Sequence, residues 1–258
     1  IANKLLEGKI DLLRYQDLTV DRPITWHVDP LTGTHSSREK FGRHINYRDD
    51  SLVGDIKVLW ELGRQQYLVA IVIEYLQKED KRYLDLLSDI FSSWLKQNTY
   101  GRGIHWCSSL EVSLRGISWV ISHFLLKRTG HKAGIFSLNV DKTALERQIY
   151  QHAWFIRHNL SFYSSANNHL IGELTGLFVL CSVFDFGEST TQWREYSWTL
   201  LMRESQLQVS QDGVNKEQAI YYHCWVLEYF ILGYLFALNV SRPIPAHFPE
   251  TIGNMAQF

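Results

Sequence analysis

An Asn-Asn-His run stands directly before an apolar stretch in the segment SANNHLIGELTG, residues 165–176. Either Asn167 or Asn168 suits the N-cap of a helix, where a side-chain oxygen accepts hydrogen bonds from backbone N–H groups that lack partners. A cap uses one asparagine and leaves the other, and His169, unexplained. Two amides and an imidazole at a helix N-terminus form a site for an anion, because their donors add to the backbone N–H groups. The run therefore indicates either a capped core helix or an anion site.

A second segment whose residue types could take part in a reaction is DGVNKEQAIYYHCWVLEY, residues 212–229. Its Asp-Gly pair predicts a turn, and Glu217 lies four residues before Tyr221, so both side chains fall on one helix face. Tyr222 and His223 follow directly. The segment indicates either a half-buried polar seam or a tyrosine that exchanges protons. A tyrosine has an unperturbed pKa of about 10, so it needs cationic or donor neighbours to act as a base near neutrality.

Two further segments supply polar and aromatic side chains near expected helix ends. DIKVLWELGRQQY contains Arg64, and NTYGRGIHWCSSLEV contains His105 and Trp106. Taken alone, these are ordinary surface or capping residues. Ser108 and Glu111 have the spacing of a capping box, which assigns Glu111 a structural role.

Metal and cofactor signatures are weak. His169 and Glu173 stand alone at four-residue spacing, and the chain contains no HExxH, Gly-rich phosphate loop or GxSxG motif. Cys107, Cys181 and Cys224 are widely spaced and form neither a disulfide framework nor a zinc site. We therefore expect no cofactor in this chain.

The composition limits the class of partner. The 26 basic and 27 acidic residues nearly cancel, so the totals indicate no nucleic-acid-binding surface. The longest apolar run, WVLEYFILGYLFAL, is interrupted by Glu228 and Gly233, and we expect no membrane span. Aromatic residues make up 14% of the chain, with nine Trp, which leaves some rings for a binding surface beyond the core.

The chain starts without Met and without a visible signal peptide, which predicts a processed or excised piece.

Helical periodicity dominates the chain and predicts an all-α fold. The opening 15 residues have the pattern of an amphipathic helix, and only 19–35 looks extended. We expect an N-terminal helix and extended segment over residues 1–50 and one helical domain over 51–258. The helices that the pattern predicts cover residues 52–77, 80–98, 108–128, 140–160, 168–184, 190–208 and 216–238.

Four segments, taken together and in order, resemble the heparinase II/III-like polysaccharide lyases. They are DIKVLWELGRQQYLVA, NTYGRGIHWCSSLEVSLRGISW, SANNHLIGELTGLFVL and DGVNKEQAIYYHCWVLEYFILG, and they cover most of residues 50–238. The resemblance implies an incomplete α/α toroid built from helical hairpins, a fold shared with some alginate lyases. It also implies cleavage of a uronate-containing polysaccharide, such as a glycosaminoglycan or alginate, by β-elimination.

The resemblance also implies roles for particular residues. Asn168, with His169 beside it, corresponds to the group that neutralises the C5 carboxylate of the sugar. Tyr222 corresponds to the acid/base, with Tyr221 as the alternative. The implied contacts to the acidic polysaccharide are Arg64, His105, Trp106, Asn167, Glu217, Tyr221 and His223.

Members of the family continue into a C-terminal β-sandwich that can add a catalytic histidine and a structural metal. The chain ends before such a domain, so we expect any metal to lie there, and a periplasmic or secreted location. One alternative is a glycan-binding or assembly protein with the same fold and no catalysis. The other is an α/α-barrel glycoside hydrolase, whose paired carboxylates would come from Glu61, Glu111, Glu217 or Asp212.

Overall fold

The computed structural model describes residues 1–128, 130–163 and 166–258, and most of them are helical. Ser165, the first residue of the Asn-Asn-His segment, lies outside the described residues. Short 3-10 turns cover Gly42–His44, Ile104–Trp106 and Gly134–Ser137. The helices and strands are α1 Ala2–Leu6, β1 Lys9–Leu12, β2 Tyr15–Thr19, α2 Asp50–Val53, α3 Ile56–Arg64, α4 Tyr67–Lys78, α5 Lys81–Gln97, α6 Ser109–Arg128, α7 Lys142–His158, α8 Asn168–Val183, α9 Glu188–Gln208, α10 Ile220–Asn239 and α11 His247–Gln257.

The N-terminus forms a hairpin where the pattern predicts a longer helix. Helix α1 ends at Leu6, and Gly8 follows with a φ of 72°, a conformation that glycine adopts without a steric penalty. Strands β1 and β2 then pair antiparallel. Ile10 and Leu12 are buried on alternate positions of β1, which is the two-residue period of a strand. The helix predicted over residues 1–15 is therefore wrong beyond Leu6. The extended segment predicted over 19–35 contains one isolated bridge, Val28 with His35.

The helix predicted over residues 52–77 is divided into α2, α3 and α4. Gln65 separates α3 from α4 with a left-handed backbone, at a φ of 57°. Its side chain is fully buried, and its Oε1 accepts a hydrogen bond from Trp119 Nε1 at 2.7 Å. A tertiary hydrogen bond to a residue 54 positions away thus accompanies the break.

The chain forms two compact units, Ile1–Gln151 and His152–Phe258. In the first unit, α4 packs against α5 and α6, and α3 packs against α6. Its core includes Phe91, Trp94 and Trp119, and the ring of Trp119 contacts the rings of the other two. The all-α class predicted from the helical periodicity is confirmed in both units.

In the second unit, α8 packs against both α9 and α10. Apolar residues on every side of α8 are buried, as expected for a helix enclosed by its neighbours. Helix α11 adds Phe248, whose ring contacts Trp198 and Phe230. Burying a side chain of this size contributes about 1.5–3 kcal/mol, so α11 is anchored to α9 and α10. No helix among the described residues has both the length and the apolar character needed to cross a bilayer.

Candidate active site

The first turn of α8 separates the roles of the two asparagines. Asn167 is the N-cap, and its side chain accepts a hydrogen bond from the backbone N–H of His169 at 3.0 Å. Asn168 is the first helical residue, and the side chain of His169 is exposed on the same turn. The choice of cap that the sequence leaves open thus falls on Asn167, and Asn168 has a different task.

Asn168 is 3% exposed, and Glu217 accepts hydrogen bonds from its backbone nitrogen and its side-chain nitrogen. The Asn168 backbone N–H donates to Glu217 Oε1 at 2.8 Å, and its Nδ2 donates to Oε1 and Oε2 at 3.0 and 2.8 Å. The carboxylate of Glu217 therefore lies at the N-terminus of α8, where the helix dipole favours negative charge. The group bonded to the first turn of α8 is thus a carboxylate of the chain itself.

A tight connection between α9 and α10 brings Glu217 to that position. Ser210 and Val214 close it with a backbone hydrogen bond of 2.9 Å, and Gly213 turns the chain with a φ of 87°. A Cβ on Gly213 would lie 2.4 Å from the backbone carbon of Asn254, so only glycine fits there. The turn predicted from Asp-Gly is therefore present. The following helix starts at Ile220, four residues later than its predicted start.

Asn215 orients Glu217, the residue that accepts hydrogen bonds from Asn168. It is 1% exposed, and its Oδ1 accepts a hydrogen bond from the Glu217 backbone N–H at 2.9 Å. Asn215 is not among the residues predicted from the sequence. A signal for it exists in DGVN, because asparagine side chains often accept from the backbone N–H two residues further on.

Helices α8 and α10 start at the same end of the second unit and run side by side. Glu217 contacts the first residue of α8, and further along the Thr175 hydroxyl donates to the Tyr229 carbonyl at 3.5 Å. Tyr222 belongs to the first turn of α10, so it lies at the end of the helix pair where Asn168 lies. Two of the predicted catalytic residues are thereby carried by adjacent helix starts.

The two candidate tyrosines differ in exposure. Tyr221 is 67% exposed and Tyr222 is 41% exposed. Both rings contact Trp225, with centroids 5.2 and 6.2 Å apart. Tyr222 is the more enclosed of the two, and partial desolvation strengthens electrostatic interactions with a substrate.

The third aromatic residue of the YYH run points inward. His223 is 5% exposed, and its Nε2 lies 3.0 Å from the Met255 carbonyl oxygen. Its Nδ1 accepts from the Asn215 backbone N–H at 3.5 Å, and its ring packs on Phe258. Both ring nitrogens therefore serve the fold. This placement does not support the substrate contact predicted for His223.

Glu173 is a buried carboxyl group on α8, and its spacing from His169 is only weak evidence for a metal site. It is 1% exposed and accepts from the backbone N–H and the hydroxyl of Ser161 at 2.6 and 2.7 Å. Burial raises the pKa of this carboxyl from 4.5 to about 7, against the opposing effect of the two Ser161 hydrogen bonds. Glu173 thus ties the segment before α8 to the helix.

This raised pKa predicts a pH-dependent stability. Between about pH 4.5 and 7 the carboxyl is ionised in the unfolded chain but protonated in the folded one, so stability falls as the pH rises through this window. We expect Glu173→Gln, which cannot ionise, to exceed the wild type in stability by about 3 kcal/mol above pH 7 and to match it near pH 4.5. Urea unfolding at both ends of the window measures the difference. The exposed Glu228→Gln is the control, and a pH-independent difference for Glu173→Gln contradicts the prediction.

In the first unit, Arg64 is committed to two carboxylates. Its Nε and one terminal nitrogen donate to Glu111 at 2.7 and 3.0 Å, and the other terminal nitrogen donates to Glu61 at 2.7 Å. The side chains of Arg64 and Glu111 are 14% and 4% exposed. Breaking such a buried pair costs about 3–5 kcal/mol. Arg64 therefore has a structural function, and its predicted contact to substrate stays a prediction.

His105 and Trp106 lie inside the first unit. Both are 1% exposed. His105 Nε2 lies 2.6 Å from the Trp26 carbonyl oxygen, and burial holds the pKa of this imidazole well below its ordinary value. The guanidinium of Arg115 lies over the Trp106 ring, 5.7 Å from its centroid. These buried positions do not support the sugar contacts predicted for the two residues. Nowhere among the described residues do three or more His, Cys, Asp or Glu side chains cluster in a way that could hold a metal ion.

The sequence profile of the family described as Heparinase II/III N-terminus matches residues 6–258. A curated relative, the heparin-sulfate lyase of Pedobacter heparinus, is 25% identical over 231 residues, which are 83% of this chain and 32% of the relative. The heparin-sulfate lyase of Bacteroides thetaiotaomicron is 21% identical over 202 residues, which are 76% of this chain and 28% of the relative. The chain therefore spans about a third of the length of these relatives.

Solved structures share the fold. A mutant of the heparan sulfate lyase HepC from Pedobacter heparinus matches 99% of this chain and 37% of its own, with a TM-score of 0.71 and 20% identity. A structure described as Heparinase III matches 99% of this chain and 42% of its own, with a TM-score of 0.63 and 20% identity. The likeness confirms the predicted fold class, the helical toroid of these proteins.

Proposed function

Because the chain belongs to the Heparinase II/III N-terminus family, we propose that it is the helical catalytic part of a polysaccharide lyase. The proposed reaction is β-elimination on a uronate-containing acidic polysaccharide, which makes the protein a carbon–oxygen lyase. The observation that carries the proposal is the placement of Asn168 and Tyr222 in the first turns of two adjacent helices, α8 and α10, that start at the same end. Heparan sulfate is the first substrate to test, since both curated relatives are heparin-sulfate lyases.

In the proposed reaction, Tyr222 is the base that removes the proton from C5 of the uronate. The electron pair of that C–H bond forms the C4–C5 double bond, and the C4–O4 bond breaks. O4 leaves with the rest of the chain and takes up a proton from Tyr222 or another acid. Negative charge grows on the C5 carboxylate as the proton leaves, and a donor placed there stabilises the transition state.

Asn168 suits the task of stabilising that carboxylate. It lies at the N-terminus of a 16-residue helix, where the dipole favours negative charge, and its amide carries two donor hydrogens. His169 is exposed on the same turn and offers a second donor beside it. Tyr221 stays the alternative acid/base, one residue from Tyr222.

The test is incubation of the full-length protein with heparan sulfate, other glycosaminoglycans and alginate. A lyase produces unsaturated uronate, seen as new ultraviolet absorbance that grows with time, and a neutral glucan without uronate is the control. No new absorbance on any uronate polymer contradicts the proposal. Reducing ends without the chromophore would indicate a glycoside hydrolase, and binding without cleavage would indicate a glycan-binding or assembly protein.

A further inference from the structure

We propose that Glu217 is a positioning residue that fixes the orientation of the Asn168 amide, instead of the substrate contact that the family resemblance implies. The inference rests on the proposed lyase function, because Asn168 is the donor to the substrate carboxylate in that reaction. Glu217 acts through Asn168 and does not touch the sugar.

The carboxylate of Glu217 holds Asn168 at two points. Its Oε1 accepts from the Asn168 backbone N–H at 2.8 Å, and both its oxygens accept from Nδ2 at 2.8 and 3.0 Å. Bonds from neutral donors to an ionised acceptor are stronger than those between neutral groups. The backbone and the side chain of one residue are therefore held by a single anion.

This arrangement uses one of the two amide hydrogens of Asn168 and leaves the other without a bond to Glu217. The two hydrogens on Nδ2 diverge, whereas the two oxygens of one carboxylate lie close together. One N–H is therefore shared between Oε1 and Oε2 in a three-centre bond, and the second N–H points away from Glu217. A substrate carboxylate needs a donor of this kind, because a carboxylate accepts hydrogen bonds and cannot donate them.

An ionised carboxylate also prevents the amide from turning over. With the amide flipped, Asn168 Oδ1 would face the acceptor oxygens of Glu217, and two acceptors repel each other. Asn168 Oδ1 is buried and has no hydrogen-bond partner among the described residues, so no contact on that side of the amide selects its orientation. A glutamine at position 217 could pair with either orientation, because its amide both donates and accepts.

Glu217 is itself held in place. Asn215 Oδ1 accepts from its backbone N–H at 2.9 Å, and Gln218 follows with a left-handed φ of 55°. The N-terminus of α8 offsets the negative charge of Glu217. A fixed carboxylate next to a neutral amide is the arrangement expected of a group that positions another.

The test is a double-mutant cycle on turnover in the full-length protein, with Glu217→Gln made alone and in an Asn168→Ala background. We expect Glu217→Gln to lower kcat by about 10- to 100-fold, the usual cost of losing an orienting partner, while KM changes by less than about threefold. In the Asn168→Ala background, Glu217→Gln should lower kcat no further, because the amide that Glu217 positions is absent. Glu228→Gln removes an exposed carboxylate from α10 and is the control, expected to keep the wild-type kcat.

A second variant guards against a folding defect in Glu217→Gln. Asn215→Ala keeps the Glu217 carboxylate but removes the hydrogen bond to the Glu217 backbone. We therefore expect kcat to fall by less than in Glu217→Gln, and only when Asn168 is present. A raised KM with kcat unchanged, or equal losses with and without Asn168, would overturn the positioning role. If the wild type turns over no uronate polymer, the lyase function itself is refuted, whereas turnover by the wild type with additive losses refutes the Glu217 proposal alone.

Discussion

Tyr222→Phe is expected to lose about 100- to 10,000-fold in kcat, the range that a positioned acid/base supplies. The substitution removes one oxygen and retains the ring that contacts Trp225. Tyr222 is 41% exposed, so the free energy of unfolding should change by no more than about 0.5 kcal/mol. The rate is measured from the absorbance of the unsaturated product, and the affinity for an oligosaccharide by calorimetry.

The matched control for this prediction is Tyr221→Phe, one residue earlier on the same turn. Because Tyr221 is the more exposed ring, we expect its variant to keep kcat within about threefold of the wild type. A reversed pattern, with Tyr221→Phe inactive and Tyr222→Phe active, would assign the acid/base to Tyr221. Wild-type rates in both variants would contradict a tyrosine acid/base on this turn.

Asn168→Asp is expected to have the second largest effect, on activity and on stability together. The variant is nearly isosteric, but it replaces the donor Nδ2 by an acceptor oxygen that faces Glu217, where the donor now lies 2.8–3.0 Å from the carboxylate. Loss of the donor to the developing charge should lower kcat by about 100- to 1,000-fold. The like-charge contact should lower the free energy of unfolding by about 2–4 kcal/mol near neutral pH.

The pH dependence of the loss of stability in Asn168→Asp identifies the cause of that loss. Two carboxyl groups in contact share a proton more readily than either binds one alone, so the instability relative to the wild type should shrink as the pH falls toward about 5. Asn168→Ala introduces no charge and provides the comparison, since its stability relative to the wild type should not depend on pH in this way. A pH-independent loss in Asn168→Asp would show that repulsion by Glu217 is not the cause.

The local features of the second unit follow directly from the sequence. Asn167 caps α8, and Asp212-Gly213 turns the chain, as their residue types indicate. The long helices α5, α6, α8 and α9 match the predicted ranges closely. Each of these features depends on contacts between residues a few positions apart, which a local pattern records.

The wrong predictions concern local structure and have two causes. One is a contact with a residue far away in the sequence, and the other is an apolar spacing that suits both a helix and a strand. The opening residues have apolar spacing that suits a helix, yet Ile10 and Leu12 are buried on a strand. Gln65 interrupts a strongly helical stretch and bonds to Trp119. Tertiary packing also decides the burial of His105, Trp106 and His223, and the substrate contacts predicted for these three residues stay predictions.

The sequence alone determined the all-α class, the family and the position of Asn168 at the start of a helix. The structure placed Tyr222 in the first turn of α10, because this helix starts at Ile220 and not at the predicted residue 216. Only the tertiary structure assigned Glu217 to Asn168, because that contact joins residues 49 positions apart. A residue's type shows which hydrogen bonds it is able to make. Its partner is decided by which helices pack together, since burying the apolar faces of α8 and α10 brings their starts, and the groups beside them, within hydrogen-bonding distance.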